Sequence, residues 1–384
     1  MHASHDNRID LIRPDAPELA RLGPHPVGVK TLDLIHPGQA DVLAGGVKDR
    51  RLTVELWYPA TVGTAPGGTY RTLCRDGRTE VALQGRAARE AGAAEGDFPL
   101  VILSHGYPGN RMLMSHLGEN LASKGYLVAS IDHPESTYGD PAYLGGQAFA
   151  STLVNRPLDT RFVMDALGAS KVAIIGYSMG GYGALIAGGA SVSEATLTME
   201  RGGGPWMAAH LAAVADPRLK AVVPIGPWGR QYGVWDAEGM AGLSVPALIV
   251  AGSRDDVSGY DTGMRELFDE AVGVERHLLT FDGAGHNAAA PYPAPVESWV
   301  AVEWLPFVPF EHYADKVWDT ARMNNIAAHF VTAFLDVHLK GDAAKAAYLT
   351  PEFAGFAEGT ARGLRWETLP EDGRIAHPTF TQAQ

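Results

Sequence analysis

One cysteine, Cys74, occurs among 384 residues. An internal disulfide is therefore impossible, and stability must come from the core rather than from oxidative stapling. Cys74 lies in a polar stretch without an evident partner and reads as incidental. Basic residues are also sparse: 31 Lys and Arg stand against 44 Asp and Glu, for a net charge of −13. Nucleic acid and anionic membranes are thus excluded as expected partners, since both are bound through a basic footprint. No apolar run approaches the roughly 20 residues of a membrane-spanning helix, so no stable membrane insertion is expected. Met1 to Ala20 contains no apolar signal-peptide core, which argues against a secretory signal in this sequence and makes the cytoplasm the default location. No dinucleotide fingerprint or Walker loop follows a strand candidate, so no cofactor is expected. Asp132-His133-Pro134-Glu135 with Asp140 matches no strong zinc spacing, and no metal is expected.

What is present is an ordinary globular composition, 46% hydrophobic and 20% charged, in a length that fits one large domain with insertions or two domains. Residues 1–26 read as an N-terminal arm and 342–384 as a C-terminal tail around a domain at 27–341. Strand candidates are Val27 to Ile35, Leu52 to Tyr58, Leu100 to Leu103, Leu127 to Ile131, Val172 to Ile175, Ala221 to Ile225, Ala247 to Val250 and His277 to Phe281. Helix candidates are Met112 to Lys124, Pro157 to Leu167 with the proline in its first turn, Met264 to Ala271 and Asp319 to Leu339. Residues 60–97 read as a surface excursion with a helix near 79–92. Short apolar strands alternating with helices predict an α/β fold, with a mostly parallel sheet covered on both faces. Insertions at 191–217 and 287–318 interrupt the pattern. The second is rich in proline and aromatic residues, and reads either as a cap or acyl-pocket wall or as a packed surface loop.

Residues 173–181 read Ala-Ile-Ile-Gly-Tyr-Ser-Met-Gly-Gly, with an apolar strand before them and a small-residue helix candidate after them. In that context a G-x-S-x-G match predicts a nucleophile elbow at Ser178. A side chain at Gly176 or Gly180 would collide with the neighbouring strand or helix. The Met179 amide falls at a helix N-terminus, where an oxyanion can be held.

A serine hydroxyl needs a base to take its proton and an acid to orient that base. Asp255, in the loop after the 247–250 strand, fits the acid, with Asp256 as the competing choice. His286, carried by Asp282-Gly283-Ala284-Gly285, fits the base. His312, His329 and His338 sit in the insertion or on the terminal helix and fit less well. The second oxyanion donor is expected from Ser104-His105-Gly106-Tyr107-Pro108-Gly109, at the Tyr107 amide, because Pro108 cannot donate. His105 reads as structural, orienting this loop. The Tyr107 ring is a candidate pocket wall. Trp228, past the 221–225 strand, is either a substrate-stacking ring or a core tryptophan.

With these residues in place, the chain resembles α/β-hydrolases of the dienelactone-hydrolase-like group that includes platelet-activating-factor acetylhydrolases. The resemblance covers about residues 27–290. It rests on Leu52-Thr53-Val54-Glu55-Leu56-Trp57-Tyr58-Pro59, the 104–109 loop, Ser130-Ile131-Asp132-His133-Pro134 and the elbow. It is similar to cutinase-like polyester hydrolases at Tyr107, Met179 and Trp228. What this implies is an α/β-hydrolase fold and an esterase- or lipase-type reaction without a cofactor, on a small-molecule or polymeric ester. Two features depart from the pattern. Dienelactone hydrolases use a cysteine where this chain has Ser178, and secreted polyester hydrolases carry a leader and disulfide cysteines. The expectation is a carboxylic-ester hydrolase with a Ser178–His286–Asp255 triad. An amidase or peptidase on the same triad, a non-catalytic binding protein of the same fold, and more distantly a cofactor-free haloperoxidase remain as alternatives.

Overall fold

In the computed structural model, residues 7–144, 148–199, 203–211 and 214–373 are described. Residues 1–6 of the expected arm, 200–202 and 212–213 of the first insertion, and 374–384 of the expected tail lie outside them. The chain enters the sheet through a long antiparallel pair, β1 (Val27–Ala40) and β2 (Val47–Pro59), then forms a hairpin of β3 (Gly68–Leu73) and β4 (Glu80–Gly85), and returns to β1 with the short β5 (Ala88–Arg89). The central strands follow: β6 (Leu100–Ser104), β7 (Leu127–Asp132), β8 (Val172–Tyr177), β9 (Leu219–Ile225), β10 (Ala247–Gly252) and β11 (Arg276–Phe281). β12 (Leu364–Leu369) closes the far edge, and the order across the sheet is β12-β11-β10-β9-β8-β6-β7-β2-β1-β5.

β6 to β11 pair in parallel, and every residue of β6, β8, β10 and β11 is buried. Such strands need cover on both faces, which explains their continuous apolar runs. Alternation at period two divides their side chains. Val101, Leu103, Ala173 and Ile175 join one core with α1 (Ser115–Ala122) and the C-terminal helix. Leu100, Ile102, Val172 and Ile174 join the other with α2 (Phe149–Leu167) and α3 (Met179–Ala187). The C-terminal helix, α4 (Thr320–Leu335), is capped by Asp319, whose carboxylate accepts the Arg322 amide at 2.8 Å. β7 lies on one side of β6 and β8 on the other, so the chain reverses its direction of winding at β6. The crevice beyond the carboxyl ends of β6 and β8 is where open α/β sheets bind ligands.

Four sequence expectations change. No helix occupies 79–92: residues 80–85 pair antiparallel with β3, and Tyr70, Val81 and Leu83 are buried against the core. Buried Glu119 of α1 holds this hairpin by accepting the amides of Arg86 and Ala87 at 2.8 and 2.9 Å. Tertiary pairing thus overrides the local composition of the segment. Cys74 is fully buried beside the Tyr313 hydroxyl, 3.9 Å away, rather than in a polar surround. Pro157 lies inside α2, not in its first turn. A proline there leaves the carbonyl four residues earlier without its helical donor, and the Tyr182 hydroxyl of α3 supplies one, bonding the Leu153 carbonyl at 3.0 Å. Within the expected tail, residues 364–369 form β12, with Leu364 and Trp366 buried. No helix among the described residues is long and apolar enough to cross a membrane.

Candidate active site

The ends of β6, β8, β9, β10 and β11 lie in register, with Ser104 opposite Gly176, Tyr177 opposite Ile225 and Gly252 opposite Phe281. The loops leaving those ends carry Tyr107, Ser178, Trp228, Asp255 and His286. Ser178 sits between β8 and α3 with φ 53° and ψ −112°. A non-glycine residue in this region costs about 1–3 kcal/mol and persists only where its surroundings enforce it. The enforcing contacts are visible: the Ser178 amide donates to Ile225 at 2.8 Å, and its carbonyl accepts the Trp228 amide at 3.1 Å. A Cβ on Gly176 would stand 2.1 Å from the Gly180 carbonyl oxygen, and one on Gly180 would stand 1.9 Å from that of Ser104. The motif glycines therefore permit the close approach of β6, β8 and α3. Met179 opens α3, so its amide has no acceptor within the helix.

His286 Nδ1 lies 2.8 Å from Asp255 Oδ2. A carboxylate only accepts, so this ring nitrogen carries the proton and Nε2 is left as an acceptor. Asp255 is held in turn: its Oδ1 accepts the amides of Val257 and Ser258 at 2.9 and 2.8 Å. Asp256 is exposed, and of the two aspartates it is Asp255 that reaches the imidazole. The His286 loop is anchored by Asn287, which accepts from the Tyr177 hydroxyl at 3.0 Å and donates to the carbonyls of Glu311 and Ala314.

Ser178, His286 and Tyr107 border one cavity of about 540 Å³, whose far wall is built by Phe307, Phe310 and neighbours from the 287–318 insertion. The insertion is both wall and packed segment, because Tyr292 and Tyr313 stack at 5.2 Å, buried in the core that the sheet shares with α1 and α4. Trp228 does not border the cavity. Its ring packs on Phe149 at 5.1 Å and Tyr232 at 5.2 Å, and Phe149 packs on Tyr107 at 5.6 Å. Burial, with a smaller effect of Tyr143, pushes the Tyr107 phenol up to about 12, so it stays protonated at neutral pH.

Beneath the 104–109 loop lies a polar group that the sequence reading missed. Arg156 of α2, 1% exposed, donates to the His105 carbonyl, to the Gly106 carbonyl at 3.3 Å and to the Ser136 hydroxyl at 2.8 Å. Burial draws its guanidinium down to about 9, still protonated at neutral pH. His105 Nδ1 donates to the same Gly106 carbonyl at 2.7 Å, while its Nε2 accepts the His133 amide at 3.2 Å, as expected of a structural histidine. In a trans peptide the N–H points opposite the carbonyl. Holding the Gly106 carbonyl inward therefore turns the Tyr107 N–H outward. His133 bridges Ser104 and Asp159, and Asp159 pairs with Arg50 through two 2.9 Å bonds. Burial lowers His133 to about 4. Asp132, the other polar residue beside it, is occupied by Arg111, and Glu135 by Lys48 and Arg50. Among the described residues no group of His, Cys, Asp or Glu side chains is arranged to hold a metal ion.

A family model described as alpha/beta hydrolase fold matches residues 99–192, from β6 through the elbow. Cutinase 1 of Thermobifida cellulosilytica is 27% identical over 208 residues, which is 53% of this chain and 66% of that protein. Bis(hydroxyethyl) terephthalate hydrolase of Streptomyces coelicolor is 24% identical over 194 residues, 50% of this chain and 52% of that protein. The aligned stretch thus spans less than two thirds of either relative. A ferulic acid esterase structure from Streptomyces cinnamoneus superposes with a TM-score of 0.66 at 21% identity, covering 94% of this chain and 99% of the other. The winding of the sheet, the family model over its centre and this nearly full-length superposition agree, and the chain has the α/β-hydrolase fold.

Proposed function

We propose that this protein hydrolyses carboxylic esters through an acyl-enzyme on Ser178. The observation that carries the reading is the strained Ser178 backbone in the same cavity as a His286 imidazole whose Nδ1–H is committed to a buried carboxylate. His286 Nε2 takes the hydroxyl proton as Oγ attacks the ester carbonyl, and the Asp255 carboxylate stabilises the imidazolium. The amides of Tyr107 and Met179 receive the developing oxyanion, and the loss of one such donor costs about 3 kcal/mol. Collapse of the tetrahedral intermediate breaks the acyl–oxygen bond. His286 returns the proton to the departing alcohol, and water then repeats the sequence to release the acid.

The cutinase and bis(hydroxyethyl) terephthalate hydrolase relatives favour an ester over an amide as the scissile group. The acyl side of the site is bounded by Tyr107, backed by Phe149 and then Trp228, so Trp228 acts on the pocket through its neighbours rather than by contact. The test is Ser178→Ala, assayed on 4-nitrophenyl acetate and butyrate with circular dichroism as the folding control. Turnover is expected to vanish, and fluorophosphonate labelling of the wild type to disappear with it. Unchanged turnover in the folded variant refutes the reading.

A further inference from the structure

The cavity that holds Ser178 and His286 is also bordered by Arg75, from the turn between β3 and β4. Arg75 is 9% exposed. Its guanidinium lies over the rings of Phe307, at 5.1 Å, and Tyr143, at 5.7 Å, and donates to the Tyr143 hydroxyl at 2.9 Å. Among the described residues no carboxylate lies within ion-pair distance of it, and that hydroxyl is its one hydrogen-bond acceptor.

The other buried arginines are treated differently. Arg50 is saturated by Asp159 and Glu135. Arg156 is bound by backbone carbonyls and hydroxyls, and Arg276 by the carbonyls of Phe268, Pro370 and Gly373. A guanidinium carries five N–H donors and never loses its charge under ordinary conditions. Withdrawing one from water without an acidic partner is costly. Two of the three carboxylates that share the cavity are hydrogen-bonded to backbone amides. Asp315 accepts the amides of Gly285, Val317 and Trp318, and Glu311 accepts that of Val308. Asp256 stands exposed at the rim.

We propose that Arg75 anchors a carboxylate carried by the substrate, so that the preferred esters are those bearing a free acid group. The inference rests on the ester-hydrolase reading and names its substrate class. Two aromatic rings hold the guanidinium at the cavity wall, and the Tyr143 hydroxyl takes one of its five donors, so a carboxylate entering the cavity can meet the remaining fork with two parallel hydrogen bonds. The acid can belong to the acyl part, as in a half-ester of a dicarboxylic acid, or to the alcohol part.

The test compares size-matched acid and neutral esters. Mono-4-nitrophenyl glutarate is set against its methyl ester for the acyl side, and 4-acetoxybenzoate against methyl 4-acetoxybenzoate for the alcohol side. In at least one pair the wild type is expected to favour the acid by about tenfold or more in kcat/KM, and Arg75→Met to reduce that ratio to near one. The ratio is the readout, so a general loss of activity in the variant cancels. Should Arg75→Met fail to fold, free glutarate and benzoate are tested against neutral-ester turnover by the wild type, where competitive inhibition is expected for the acid but not for its amide. A wild type that prefers the neutral ester in both pairs, a preference that survives Arg75→Met, or equal inhibition by acid and amide overturns the proposal while leaving ester hydrolysis standing. Absence of turnover of all four esters, with no labelling of Ser178, overturns both.

Discussion

Asp255→Asn isolates the one interaction on which the proposed chemistry most depends. The side chain is fully withdrawn from solvent and makes three hydrogen bonds, to the Val257 and Ser258 amides through Oδ1 and to His286 Nδ1 through Oδ2. An asparagine can keep its oxygen on the two amides, so the loop from 255 to 258 retains its geometry. The atom facing the imidazole then becomes an NH2 group, which donates. His286 must present a bare Nδ1 to it and carry its proton on Nε2, where it cannot accept one from Ser178. The ground state is nearly unchanged, while the reactive tautomer and the stabilisation of the imidazolium are both lost. In a well-studied protease the corresponding change lowers kcat by about 10⁴, which corresponds to about 5.4 kcal/mol of barrier at 1.36 kcal/mol per decade. A loss of 10³–10⁴ in kcat for 4-nitrophenyl butyrate is expected, with KM within about threefold and the melting temperature little changed. Activity should partly recover at high pH. Asp256→Asn, at an exposed position, should cost less than threefold. A loss below tenfold in Asp255→Asn, or a larger one in Asp256→Asn, refutes the assignment.

Three further outcomes are expected. Arg156→Met should lower kcat by about ten- to a hundredfold with a smaller change in KM, because the 105–107 peptides lose the donor that orients them; an effect confined to the melting temperature would assign Arg156 to stability alone. Tyr182→Phe should cost about 1–2 kcal/mol in urea unfolding, since the Leu153 carbonyl is left without a partner. In a Pro157→Ala background the alanine amide can supply that bond, so the Tyr182→Phe penalty should shrink, and full additivity of the two changes would refute the compensation. Stability should also fall below about pH 6.5. His105, His116, His133, His277 and His329 are buried, and burial lowers each: His116 and His329 to about 3, His133 and His277 to about 4, and His105 well below its ordinary range. The unfolded chain binds these protons near pH 6.5 and the folded one does not. Their contribution is therefore complete above that pH and is lost as the pH falls toward 4, by up to about 1.4 kcal/mol per pH unit for each histidine. A melting temperature that stays flat from pH 6.5 to 5 would contradict this.

Much of the molecule was legible as sequence because its signals are local. The parallel core strands are short apolar runs, and burial on both faces requires such runs. Ser178 could be located because strand, tight turn and helix follow one another within a dozen residues. His286 and Asp255 were expected from their place after a strand, with Asp256 competing for the acid role, and the structure sets His286 2.8 Å from Asp255. β12 left an available trace in the alternation of Leu364 and Trp366 with Arg365 and Glu367, which reads as a strand with one buried face. In contrast, the helix expected near 79–92 and the surface setting of Cys74 both failed, because residues 68–85 are organised by pairing and by Glu119 of α1, outside any local window.

Tertiary structure alone decided the rest. Which acid reaches His286 depends on the path of the 252–258 loop. Trp228 stands behind Phe149 because its backbone is engaged by Ser178. Pro157 fits inside α2 because the Tyr182 hydroxyl, from another helix, bonds the carbonyl that it leaves free. Arg156 and Arg75 look alike in the sequence, yet one is bound by carbonyls and the other faces the cavity between two rings. Residue type and spacing determined the candidate reactive groups and the elements that carry them, since hydrophobic period and turn chemistry act over a few residues. The partners of each buried polar group were chosen by segments far apart in the chain, because the cost of burying charge is met only where folding brings an acceptor within about 3 Å.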